Sequence, residues 1–137
     1  ASYIHMAGRV GVLIEVHCET DFVAKNENFQ ALVKDLTLHI AAANPSYVTS
    51  EEVPASVIEK EREIAAADPR FKGKPESVID KALEGKLKKY YADYCLLDQP
   101  FIKDDKLSIR DLIKGKITEL GENIVVRRFT RYAVGGE

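Results

Sequence analysis

The 137-residue chain is 45% hydrophobic and 31% charged, with 8 glycines, 5 prolines and 2 cysteines, a balance that fits one globular domain and excludes disordered, low-complexity and collagen-like classes. Lys plus Arg number 20 against 22 Asp plus Glu, a formal charge of -2, which argues against a protein whose main task is to grip phosphate backbones. No apolar run nears the roughly 18 residues that cross a bilayer, no signal pattern opens the chain, and two cysteines are too few for a stapled secreted scaffold, so a soluble, cytoplasmic protein is expected.

Residues 1–18 read as a β-hairpin: Ser2, Tyr3, Ile4 and His5, a turn through Met6, Ala7 and Gly8, then a strand. In that strand Val10, Val12, Ile14, Val16 and Cys18 alternate with Gly11, Leu13, Glu15, His17 and Glu19, the period of 2 of a strand with one buried face. From Asn26, a candidate N-cap, the period changes. Phe29, Leu32, Val33, Leu36, Ile40 and Ala43 recur at spacings of three and four, an apolar helix stripe that Asn44 and Pro45 end.

Pro54 predicts a second helix with Val57, Ile58, Ile64 and Ala65 inward, ended by Asp68 and Pro69. Residues 68–75 hold two prolines, Gly73 and three basic residues and read as a mobile loop. A helix from Pro75 through Ile79, Leu83, Leu87, Tyr90 and Tyr94 completes a helical hairpin. Ser108 and Asp111 resemble a capping box that opens a helix with Ile109, Leu112, Ile113, Ile117 and Leu120 inward and Gly121 as its stop. Residues 123–132, rich in β-branched and aromatic side chains, return as a strand. The expected fold is α+β: a three-stranded antiparallel sheet covered on one face by helices, with a helical hairpin.

Few residues suggest bond-breaking chemistry. His17 and Cys18 are neighbours on a strand, so they point to opposite faces and cannot share a metal or a proton. Cys18 is expected to be a small buried apolar residue, with a single bridge to Cys95 left open. His39 follows Asp35 by four residues and reads as a surface ion pair. No glycine-rich phosphate loop is present. Lys86, Lys88 and Lys89 beside Tyr90 and Tyr91 resemble a nucleic-acid surface, but Leu87, Tyr90 and Tyr94 fall on the apolar stripe, which favours the tyrosines as core. The charge is also uneven: residues 1–68 carry -6 and residues 69–137 carry +4. Either helix faces are solvated by different charges, or a polarised surface orients a protein partner. Arg127, Arg128 and Arg131 in the last strand are likewise partner contacts or a solvated edge.

The informative segment is Thr20, Asp21, Phe22, Val23, Ala24 and Lys25. It joins a strand to a helix, and such connections lie at the surface. Two readings stand. Phe22 folds back as a staple on the first helix turn while Thr20 or Asp21 satisfies free amides, or Phe22 projects as an anchor for a partner's pocket, with Asp21 supplying a charge-assisted hydrogen bond.

At these residues the chain resembles the elongation factor Ts family, nucleotide exchange factors for elongation factor Tu. The family's "TDFVA" core stands at residues 20–24, flanked by "RVGVLIEVHCE" and "NENFQALVKDL", and the likeness continues through "HIAAANPSYV", "VIEKEREI", "GKPE", "CLLDQPFIKD" and "GENIVVRRF". The resemblance is to the compact, single-core form, and it implies that residues 1–137 are the core or dimerisation domain of a homodimeric cytoplasmic factor. It implies guanine-nucleotide exchange without an enzymatic reaction, cofactor or metal, and neither nucleic acid nor membrane as partner; an RNA-binding module using the basic, aromatic helix is the alternative. Asp21 and Phe22 are implied to wedge between two helices of factor Tu and disturb the magnesium and phosphate side of its GDP site. Thr20 and Val23 set the direction of the wedge, and His5 matches a family histidine near another domain of factor Tu. Two departures are noted. Nothing here corresponds to the family's N-terminal three-helix module, in keeping with Ala1 in place of an initiating Met and with a processed or excised piece of a longer chain, so weakened or lost exchange is expected. His17 stands where the family often has Asn.

Overall fold

The computed structural model describes residues 1–136. The predicted hairpin forms, with β1 at Ser2–His5 and β2 at Val10–His17. The Val/Ile row of β2 faces the core: Val12 and Ile14 are buried, and Val10, Val16 and Cys18 pack around them. The turn between the strands holds Met6 and Ala7 at φ 52° and 54°, a left-handed conformation that costs non-glycine residues about 1–2 kcal/mol each.

After a one-turn helix, α1, at Asp21–Ala24, the long helix α2 spans Glu27–Ala43. Asn26 caps it by accepting from the Asn28 amide, and Asn44 ends it in the left-handed region at φ 48°. Its stripe of Phe29, Leu32, Val33, Leu36 and Ile40 is buried against the inner sheet face. Helices α3, Ala55–Ala67, and α4, Glu76–Tyr94, form the predicted hairpin. Ala65 and Leu83 are buried within it, whereas Ile64, expected inward, is exposed. The loop joining the helices contains a 3-10 turn, Pro69–Phe71, capped by Asp68. Arg70 pairs with Asp68, holds its carboxyl down at about 2, and lies over the Phe71 ring.

The chain then makes an element the periodicity does not announce: a small antiparallel hairpin of β3, Pro100–Phe101, and β4, Asp104–Ser108. Two residues are too few to show a period, and β4 is charged and largely exposed, so nothing local distinguishes it from a loop. Helix α5, Ile109–Leu120, follows with Ser108 accepting from the Asp111 amide at 3.1 Å. Gly121 closes it at φ 74°, a position where a Cβ would be strained. Strand β5, Val125–Ala133, pairs with β2 to give the sheet order β1-β2-β5, all antiparallel. The α+β class therefore stands, with a second two-stranded sheet added.

A bulge between Glu15 and Val16 leaves Arg127 without a direct partner across the ladder. The closing-strand arginines divide between faces as their alternation requires. Arg128 pairs with Glu15 on the outer face, while Arg131 reaches the Ala41 carbonyl of α2. In α4, Gly85 is exposed, and a methyl there would meet nothing within 4 Å. Gly85→Ala is expected to stabilise the chain by about 0.5–1 kcal/mol, because alanine restricts the unfolded backbone at no steric cost. Thermal melting checks this, and a lower midpoint than the parent contradicts it.

Candidate surface for a protein partner

Strand β2 ends at His17, and four residues later the chain coils into α1 because Thr20 caps it. The Thr20 hydroxyl accepts from the Val23 amide at 3.3 Å, and the backbone closes with Ala24 and Lys25 amides donating to the Thr20 and Asp21 carbonyls at 3.1 Å. A single turn has few internal bonds, so its support comes from both sides. Val23 is buried in the core, and the Asn26 amide donates to its carbonyl at 2.9 Å.

On this turn the Phe22 side chain is 90% exposed. The staple reading is thereby corrected: it is Val23, one residue on, that turns inward, and successive residues of a helical turn differ by about 100°. Asp21 is exposed beside the ring. At 90% exposure the ring has almost no apolar contact within its own chain.

The structure brings Thr20, Asp21, Phe22 and Val23 together and places His5 elsewhere. His5 lies at the opposite end of β2, opposite Val10, about 23 Å of strand away at 3.3 Å per residue. It is exposed, and Tyr3 Oη lies 2.6 Å from its Nδ1. A partner touching both must span the length of the sheet.

Glu122, in the connection between α5 and β5, is a residue that sequence reasoning passed over. One of its oxygens accepts from the Glu19 and Thr20 amides, each at 3.0 Å, and the other accepts from the Thr20 hydroxyl at 2.6 Å. Glu19 reciprocates by accepting from the Asn123 amide at 2.7 Å. A glutamate between a helix stop and a strand reads as a solvated loop residue, and no local pattern marks a partner a hundred positions away.

His39, expected at the surface with Asp35, is fully buried, and Asp35 pairs with Lys103 instead. Cys18 and Cys95 are both free thiols, and burial together with Asp98, Glu52 and Glu51 pushes the Cys95 thiol up to about 11. His17 pairs with Glu15 on the outer face, away from the core side that Cys18 borders. Among the described residues no group of three or more His, Cys, Asp or Glu is placed to hold a metal ion. No described helix is long and apolar enough to cross a membrane.

On α4, Tyr90 and Tyr94 stack with centroids 4.5 Å apart. Burial and a hydrogen bond with Tyr47 push the Tyr90 phenol up to about 12. Tyr94, expected in the core, is 43% exposed.

The family model described as Elongation factor TS matches residues 1–137. Curated proteins named Elongation factor Ts are similar along nearly all of the chain. That of Geobacter metallireducens is 56% identical over 134 residues, covering 98% of this chain and 62% of the relative. That of Geobacter sulfurreducens is 53% identical with the same coverage, and that of Moorella thermoacetica is 56% identical, covering 98% of this chain and 66% of the relative. The chain thus spans slightly less than two thirds of the length of these relatives.

Proposed function

The chain belongs to the elongation factor Ts family, and on that premise we propose that it is a guanine-nucleotide exchange factor that binds elongation factor Tu and promotes GDP release during translation elongation. The observation that carries this reading is the Phe22 ring, 90% exposed on a turn whose neighbour Val23 anchors it to the core. Burying such a ring in a partner contributes about 1.5–3 kcal/mol, and Asp21 beside it adds a charge-assisted hydrogen bond.

The mechanism is a coupling of binding equilibria. The Asp21 and Phe22 wedge enters between two helices of the nucleotide-binding domain of factor Tu. It favours a conformation that holds GDP and its magnesium poorly, and by linkage GDP weakens the chain's binding by the same factor. Each tenfold of weakening corresponds to about 1.4 kcal/mol of differential binding. No covalent bond changes, so the chain is not an enzyme and needs no nucleophile, general base or cofactor of its own. Thr20 caps the turn and Val23 roots it, which sets the direction of the ring, while His5 supplies a second contact at the far end of β2.

The test is the release of labelled GDP from factor Tu in excess unlabelled nucleotide. Release accelerates as the chain is added; a rate that does not change at any concentration of the chain overturns the reading.

A homodimer accompanies this function, and the outer sheet face supports it. Ile4 lies over Gly11 in the middle of that face, opposite Tyr132, with Leu13 beside them, and all three large side chains are exposed. Sedimentation is expected to give a species of twice the 15.3 kDa chain mass. A monomer alone at micromolar concentration contradicts the dimer.

A further inference from the structure

Resting on the exchange-factor reading, we propose that Glu122 is a positioning residue that latches the connector before α1, so that the exposed Phe22 ring is presented to its partner in a single pose. The ring touches too little of its own chain to be oriented by packing, so its direction is set by the backbone that carries it. That backbone is held at Glu19 and Thr20, the two residues preceding the turn, by both amides donating to one oxygen of the Glu122 carboxylate, and the Thr20 hydroxyl donates to its other oxygen.

The Thr20 hydroxyl relays the hold. It donates to Glu122 and accepts from the Val23 amide, so a single line of hydrogen bonds runs from the α5–β5 connection into α1. Glu19 closes the clamp from the other side through the Asn123 amide. A carboxylate that accepts from two amides and a hydroxyl is a stronger tie than neutral pairs provide. The clamp joins segments about a hundred residues apart, and among the described residues no other side-chain hydrogen bond runs from β5 or α5 to residues 19–22. Its effect is preorganisation: the binding-competent pose is populated before the partner arrives, and the apparent affinity is not reduced by the fraction of chains in other poses.

Two readouts on the full chain test this. The first needs no partner. In Glu122→Ala, hydrogen exchange at the Glu19 and Thr20 amides is expected to accelerate by about tenfold or more, while the β2 and α2 amides keep their protection. The second is GDP release from factor Tu as the chain is titrated. Half-saturation is expected to rise about tenfold with the rate at saturation unchanged, because the wedge itself is intact and only its preorganisation is lost.

Glu122→Gln, whose amide oxygen still accepts from both backbone groups but which loses the charge and the acceptor for the Thr20 hydroxyl, is expected to leave both readouts between those of the parent and of Glu122→Ala. If Glu122→Ala unfolds, Glu122→Asp, which keeps the charge but withdraws it by one methylene, carries the same measurements. Unchanged amide exchange, unchanged half-saturation, or an equal fall of the saturated rate and of protection throughout the chain each overturn the latch. If the parent chain itself leaves GDP release unaltered, the exchange-factor reading falls, and the latch stands or falls on the amide measurement alone.

Discussion

Replacing Phe22 by alanine is expected to slow chain-stimulated GDP release at saturation by about 30-fold or more, the effect of truncating an interface anchor that contributes 2 kcal/mol or above. The same substitution is expected to leave folding stability within about 0.5 kcal/mol of the parent, as for surface positions without special contacts. The two halves follow from one number. A side chain 90% exposed has almost no apolar contact within its own chain to lose, so whatever it contributes is realised against another molecule. Circular dichroism and thermal melting beside the release assay check both. A variant that loses stability in proportion to activity means the ring supports its own helix after all. The contrast with Glu122→Ala is informative: under the proposed mechanism, removing the ring is expected to lower the saturated rate, whereas loosening its mount is expected to shift half-saturation.

His39→Ala is expected to have the opposite signature, costing about 3 kcal/mol of stability through the cavity and the polar groups it orphans. That corresponds to a fall of about 10 °C in the melting midpoint for a chain of this size. The buried imidazole lies 2.9 Å from Gln99 Oε1 through its Nε2, and its Nδ1 accepts from the Ile102 amide at 3.3 Å. Gln99 Nε2 donates to the Asp93 carbonyl at 2.8 Å, which fixes the amide so that its oxygen faces the histidine. These partners assign the neutral ring with the proton on Nε2.

Burial holds the imidazole below its ordinary value, with the Gln99 hydrogen bond acting the other way. The unfolded chain takes up the proton near pH 6.5, before the folded chain does. The contribution of His39 is therefore complete above about pH 6.5 and is lost as the pH falls below it. Melting midpoints between pH 8 and 5.5 should decline on the acid side in the parent and decline less in His39→Ala. Equal slopes contradict the assignment.

How much was legible in the sequence differs between elements for identifiable reasons. The period of 2 in residues 10–18 and the three-and-four spacing from Phe29 to Ile40 are local records of which face is buried, and both elements formed with those faces inward. The caps at Asn26 and Ser108 and the stop at Gly121 are equally local, since each concerns groups within four residues. That residues 20–24 join strand to helix was also legible. Whether Phe22 or Val23 would turn inward was not, because a one-turn helix is too short to show a period.

The same limit hid β3, while β4 was hidden by its charge and exposure; Ile64 lies on a full-length helix but on a side that no other element covers. His39 was misread because (i, i+4) spacing to Asp35 says two side chains can meet on a helix, not which side of that helix the rest of the chain covers. Sequence alone therefore determined the hairpin, the main helices, their caps and the family likeness, since these rest on patterns within a few turns of chain. Only the tertiary structure decided that Phe22 projects, since its one-turn helix shows no period, and that His39 joins α2 to Gln99 and Glu122 grips Thr20, because those two contacts join residues 60 and 102 positions apart, and no local period carries information over that distance.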